Sequence, residues 1–371
     1  MLTNRNDYSH GVFHLTRKKL KNKQMKTKYF FFILLFVSSC APSKEDFRTN
    51  PTSHEKYIIV TADDYGASIN INKGICQAAE NDIITTISVL TNFKESINNL
   101  NSFSEKYPSI GIGVHLNITT GKPLTSPELI PSMVNEQGNF YTISELLPRL
   151  TGISTSELKT ELRAQVQVLA DNGIRIDHLS NQHGILSSYS PFYEVLIDLA
   201  KEYNLPVRSN VLASMKYPEV FPNSFMHQEG YRIFRSFAIA HPLKALAYSN
   251  DFNVRDYNYA MSKLDNAQVT HPDLLIDYFY GNPTETNLTF ILNHLPPGIN
   301  EIVLHLGTQD RQQEYPSGLN LDYFSNREQE LKTMTTCNFN DHLHQMSIKK
   351  INYSEIDRIA TLHVSNQTDP D

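Results

Sequence analysis

Short apolar runs that stop at polar side chains, separated by stretches of helical periodicity, recur along this chain from Tyr57 onward. The run Tyr57-Ile58-Ile59-Val60-Thr61-Ala62 ends in two adjacent acids, Asp63 and Asp64. Runs over residues 85–90, 110–118 and 301–305 have the same form and read as buried strands. Residues 68–81, 155–172 and 191–203 carry apolar side chains at helical spacing, as in Leu158, Leu162, Val166 and Leu169. The second of these ends at Asn172-Gly173, a helix stop. Residues 174–179 and 205–208 read as two further strands. Alternating strands and helices predict an α/β fold with a parallel sheet and helices outside it. This many units favours closure into a (β/α) barrel over an open doubly wound sheet. Residues 122–150 and 211–266, with scattered aromatics, read as insertions or loops over the barrel mouth.

The strand ends carry the candidate chemistry. In a parallel barrel every strand C-terminus opens on one face, so Asp63, Asp64, His115, His178 or His183, and His305 would converge there. Two imidazoles and one carboxylate can hold a divalent metal and leave positions open for water and substrate. A second acid can take a proton from the water, and a further histidine can give one to the leaving group. Each residue also has a plainer reading. Asp63 or Asp64 could cap the helix at 68–81, and His115, between Val114 and Leu116, could be a core histidine. His178, His183 and His305 are no more specific singly; their joint occurrence at strand ends is the argument.

Composition bounds the rest. The chain has 371 residues, 40% apolar and 19% charged, enough for one large core or two. A net charge of −6 and no basic stripe beyond the first 28 residues exclude a nucleic-acid partner held through phosphates. Lysines from Lys18 to Lys28 precede the short apolar stretch Tyr29–Val37 and then Ser38-Ser39-Cys40, a signal-peptide pattern. The small residues before Cys40 resemble a bacterial lipobox, which implies export, cleavage before Cys40 and a membrane anchor through a lipid on its thiol. Met25 is a better start than Met1, since residues 25–40 already form a complete signal. Residues 1–40 are thus leader, 41–55 tether and 56–371 the barrel domain. Cys76 and Cys337 lack metal-ligand spacing, and free thiols are expected.

Four segments, read in order, resemble a known family: Thr61-Ala62-Asp63-Asp64-Tyr65-Gly66, Gly113-Val114-His115-Leu116-Asn117-Ile118-Thr119, Asp177-His178-Leu179-Ser180-Asn181-Gln182-His183 and Glu301-Ile302-Val303-Leu304-His305-Leu306-Gly307. They are similar to the successive motifs of the YdjC-like carbohydrate deacetylases, barrel-type relatives of the polysaccharide deacetylases. The resemblance runs from about residue 56 to about residue 335. It implies hydrolysis of N-acetyl groups on amino sugars or oligosaccharides, with one divalent metal ion, zinc or magnesium. It assigns Asp64 and His115 as ligands, Asp63 as general base, His305 as general acid and Arg208 as a residue that orients substrate or base. The third ligand is assigned to His183 through a one-residue insertion, because the position four after His178 holds Gln182; without the insertion the site is altered or uses His178. Leu306 also stands where the family usually has proline.

Aromatics such as Tyr141, Tyr189 or Phe192 would stack on sugar faces. Two other functions use the same features: a surface-anchored glycan-binding lipoprotein without catalysis, and a metal-dependent hydrolase of another ester or amide.

Overall fold

The computed structural model describes residues 55–222, 225–249, 251–252, 257–309 and 321–359. The leader at 1–40, the lipid site at Cys40 and all of the tether but Glu55 lie outside them. Strands and helices alternate in the order β1 (Lys56–Tyr65), α1 (Ile69–Glu80), β2 (Thr86–Val89), α2 (Leu100–Lys106), β3 (Gly111–Leu116), α3 (Thr155–Asp171) and β4 (Leu179–Asn181). Next come α4 (Ser190–Tyr203), α5 (Phe225–Ala240), α6 (Pro242–Tyr248), α7 (Tyr257–Ala267), β5 (Leu274–Ile276), α8 (Glu285–Asn293) and β6 (Gly298–Leu304). The C-terminal elements are α9 (Leu321–Thr336), α10 (Phe339–Gln345) and β7 (Ile348–Lys350).

Among the described residues, seven strands pair in parallel, in the order β4-β3-β2-β1-β6-β5, with β7 on the first residues of β1. Single parallel bridges, Leu179 to Val207 and Leu212 to Leu275, carry the sheet round from β4 to β5. The result is the expected α/β barrel, curled and incompletely laddered. Two expected strands are displaced or reduced. The ladder of β4 begins only at Leu179, the last residue of the 174–179 run, and 205–208 contributes only the bridge at Val207, beside Pro206, which has no N–H to donate.

Alternation along β1 divides the core. Ile58, Val60 and Ala62 pack beneath the helices, whereas Tyr57 and Ile59 join Ile299, Ile351, Tyr353 and Ile356 in a separate inner cluster. Thr61 continues the inward set, and its hydroxyl donates to Glu301 at 2.6 Å. The centre of the barrel is therefore partly polar. On β3, Gly113 makes room for a neighbour: a Cβ there would come within 2.1 Å of the buried His178 ring. That ring stacks on Tyr353 at 4.1 Å and bonds to Asp177 at 2.7 Å and Ser88 at 3.1 Å.

Residues 211–266, expected as insertions or loops, contain α5, α6 and all of α7 but its last residue. Their aromatics pack on one another, Phe237 stacking on Tyr248 at 5.9 Å. Tyr189 and Phe192 belong to this core as well, edge to face at 5.0 Å and buried, so they cannot stack on a sugar. Tyr141 instead lies against Arg149, 4.7 Å from the guanidinium.

Candidate active site

Successive strand residues point to opposite faces, so Asp63 and Asp64 should diverge. They do not, because Asp64 has a left-handed backbone, φ 71°, and the register of β1 against β2 slips between Ala62 and Tyr65. This bulge turns the second carboxylate back toward the barrel mouth. Asp63 Oδ2 and Asp64 Oδ1 lie 3.8 and 3.7 Å from His115 Nε2, and all three residues are buried. The capping alternative is settled at the same place: α1 is capped by Ser68, whose hydroxyl accepts from Ile71 N at 3.2 Å.

Arg208 approaches Asp63 end on. Its terminal nitrogens donate to Oδ2 and Oδ1 at 2.7 and 2.8 Å, while Nε donates to Glu301 at 3.0 Å. Glu301 also accepts from Tyr353 at 2.5 Å. Burial alone would raise the Asp63 carboxyl, but Arg208, followed by His115, outweighs it and holds the group well below the ordinary carboxylate range. Asp64 is likewise pushed up by burial and pulled down further by Arg327, with which it is ion-paired through Oδ2.

His115 stands beside Ser180 in the β3–β4 register, and Nδ1 lies 2.8 Å from the Ser180 hydroxyl. Nε2 faces the mouth, where the Gln182 side-chain oxygen lies 2.7 Å away. His183, the next residue, has φ 56°, and its Nδ1 is 2.9 Å from the Thr119 hydroxyl; burial, opposed by the charge of Asp64, pulls its imidazole below the ordinary histidine range. The loop that carries Thr119 is fixed from α3, whose apolar face includes buried Glu161 and Gln165. Gln165 exchanges hydrogen bonds with the Asn117 backbone at 2.8 and 2.7 Å.

His305 follows β6 and packs on Tyr280 at 4.4 Å. Its backbone N–H donates to Glu330 on α9 at 2.6 Å. Burial, then the charge of Arg327, lowers the imidazole to about 4, so it is neutral at pH 7. Burial raises Glu330 to about 8, leaving it mostly protonated there.

The strand ends thus bring Asp63, Asp64, His115 and His305 together with Arg208, and leave His178 beneath, sealed in the barrel. Among the described residues no three His, Cys, Asp or Glu side chains form a ready ligand cluster. Arg327, Glu330 and Ser180 were not anticipated. The first two had a signal: with Phe324, Leu331 and Met334 they share the buried stripe of α9, where charged residues are out of place unless partnered.

The family profile described as YdjC-like protein matches residues 57–345. The chain belongs to that family. A carbohydrate deacetylase of Halalkalibacterium halodurans is 38% identical over 153 residues, 41% of this chain and 63% of the relative. One from Thermoanaerobacter pseudethanolicus is 33% identical over 162 residues, again 63% of its length, so these alignments span less than two thirds of either relative. A carbohydrate deacetylase of Brevibacillus brevis aligns more fully, at 23% identity over 81% of this chain and 99% of its own. In structure, a candidate cellobiose-phosphate cleavage protein from Enterococcus faecalis V583 shares the fold, with a TM-score of 0.61, 22% identity and coverage of 81% of this chain and 98% of that one.

Proposed function

We propose that this YdjC-like protein is a carbohydrate deacetylase that hydrolyses the acetamide of an N-acetylated amino sugar or oligosaccharide. The observation that carries the reading is the bulge at Asp64, which sets two buried carboxylates against one imidazole at the barrel mouth. The names of the relatives supply the substrate class.

The donor set suits a divalent cation. Asp64 Oδ1 is buried, accepts no hydrogen bond among the described residues and faces His115 Nε2 at 3.7 Å. Asp64 and His115 would hold the ion, with a third donor from the adjacent pair Gln182 and His183. When bound, such a cation polarises the acetyl carbonyl and lowers the pKa of a water.

The protein's own groups do the rest. Asp63, ionised at any working pH and clamped by Arg208, accepts the proton of the attacking water. His305 is neutral at rest, so it cannot arrive carrying a proton; it receives the one Asp63 has taken and passes it to the departing amine as the C–N bond breaks. Arg208 positions the base here rather than the sugar, since its donors are directed at Asp63 and Glu301. Export and a lipid anchor on Cys40 remain part of the proposal on the strength of the leader alone.

The second reading is a glycan binder without turnover, and the pairing of Arg327 with Asp64 favours it, because a guanidinium there competes with a cation for the carboxylate. A panel of N-acetylated, O-acetylated and phosphorylated sugars separates the possibilities. Acetate and free amine in equal amounts from the N-acetylated members support the proposal; binding with no product from any member supports the second reading.

A further inference from the structure

We propose that Gln182, through its side-chain oxygen, is the third protein ligand of the cation site, in the place that the family resemblance gives to His183 through a one-residue insertion. The inference rests on the reading above, in which a divalent cation sits between Asp64 and His115. It follows from strand geometry. Ser180 pairs with His115 and Asn181 with Leu116, so alternation returns the next side chain, Gln182, to the His115 side of the sheet. Its Oε1 reaches to within 2.7 Å of His115 Nε2, the nitrogen that Asp64 Oδ1 also faces.

The chain then leaves the sheet. His183 and Gly184 both have positive φ, 56° and 64°, and Leu186 N donates to Asn181 Oδ1 at 3.1 Å, which closes the turn. This geometry sets His183 Nδ1 against the Thr119 hydroxyl at 2.9 Å, with its ring still within the electrostatic reach of Asp64 and His115. Among the described residues it forms no ion pair with Asp63 or Asp64, whereas His115 approaches both.

Ser180 completes the arrangement. For His115 Nε2 to bind a cation, the ring hydrogen must sit on Nδ1. Ser180 Oγ, 2.8 Å from Nδ1, accepts it and can turn its own hydrogen to Val114 O at 3.4 Å. A carboxylate oxygen, an imidazole nitrogen and an amide oxygen form a harder, weaker set than one with two imidazoles, and its preference for zinc over manganese or magnesium is correspondingly small.

The test is direct binding of Mn2+ and Zn2+ to the full chain by titration calorimetry, with no substrate present, in wild type and in Gln182→Ala, Gln182→His, His183→Ala and Asp64→Asn. Gln182→Ala should weaken Mn2+ roughly tenfold or more, and His183→Ala should change it less than about threefold. Gln182→His should raise zinc affinity roughly tenfold or more relative to manganese. Circular dichroism confirms that each variant is folded. If His183→Ala loses the ion while Gln182→Ala keeps it, the ligand assignment falls and the cation site stands. If wild type binds neither ion, or Asp64→Asn binds as wild type does, the cation reading itself falls, and this inference with it.

Discussion

The guanidinium of Arg208 meets the carboxylate of Asp63 through two parallel hydrogen bonds, 2.7 and 2.8 Å, although the residues lie on opposite sides of the barrel sequence. The same guanidinium is anchored behind by Glu301, which Thr61 and Tyr353 also hold. The Asp63 carboxylate is therefore held in one direction, with its pKa below the ordinary carboxylate range.

Replacing Arg208 tests that arrangement. Arg208→Lys retains the charge but not the paired bonds, and kcat should fall by roughly ten- to a hundredfold with KM little changed. Arg208→Met leaves Asp63 and Glu301 buried without their cation and should cost about 3–5 kcal/mol of stability. Steady-state kinetics and denaturant unfolding read the two effects separately.

The adjacent acids should fail differently. Asp64→Asn should lose bound cation and turnover together, whereas Asp63→Asn should keep the cation and lose roughly 10²–10⁴ in kcat. Metal content of the purified variants, measured beside their acetate release, distinguishes the two. Wild-type turnover in either variant contradicts the role given to that residue.

His305 sets the acid limb. Because burial and Arg327 hold it at about 4, it stays neutral and able to receive a proton down to about pH 5. The kcat/KM profile should be level from neutrality to that point and fall below it as the imidazole becomes charged. Asp63, lower still, does not shape this limb. An acid limb centred on the ordinary histidine value of about 6.5 would show that His305 does not govern it.

Glu330 gives a stability signature of opposite sign. Its folded pKa is raised from 4.5 to about 8, so between those values the unfolded chain ionises while the folded chain stays protonated. Stability is lost as pH rises across that window. Glu330→Gln keeps an acceptor for the His305 N–H and removes the loss. The variant should match wild type near pH 4.5 and exceed it at pH 8 by up to about 4–5 kcal/mol. Urea unfolding at the two pH values measures the difference.

Much of this site was legible in the chain because apolar runs ended in chemistry. Asp63, His115 and His305 lie at or just beyond the ends of strands whose boundaries the hydrophobic pattern marked, and parallel topology brought them together. The bulge was not legible: nothing in the order of residues announces that Asp64 takes a positive φ, and without it the pair would point apart. The face taken by Gln182 followed only from the β3–β4 register, since a one-residue shift exchanges faces. Arg327 and Glu330 were passed over because charged residues in a helix ordinarily face water; here they face the site. Residues 211–266 were read as insertions or loops over the barrel mouth, and their aromatics pack across several helices.

The site at Asp63 and Asp64 is proposed to carry out a cation-assisted N-deacetylation. Acetate release from short chitooligosaccharides by the full chain, followed before chelation, after chelation and after return of a divalent cation, tests it most directly. Release that stops on chelation and recovers with the ion is the expected result. Release that survives complete removal of the ion, or no acetate from any N-acetylated sugar by the cation-loaded protein, would contradict the account.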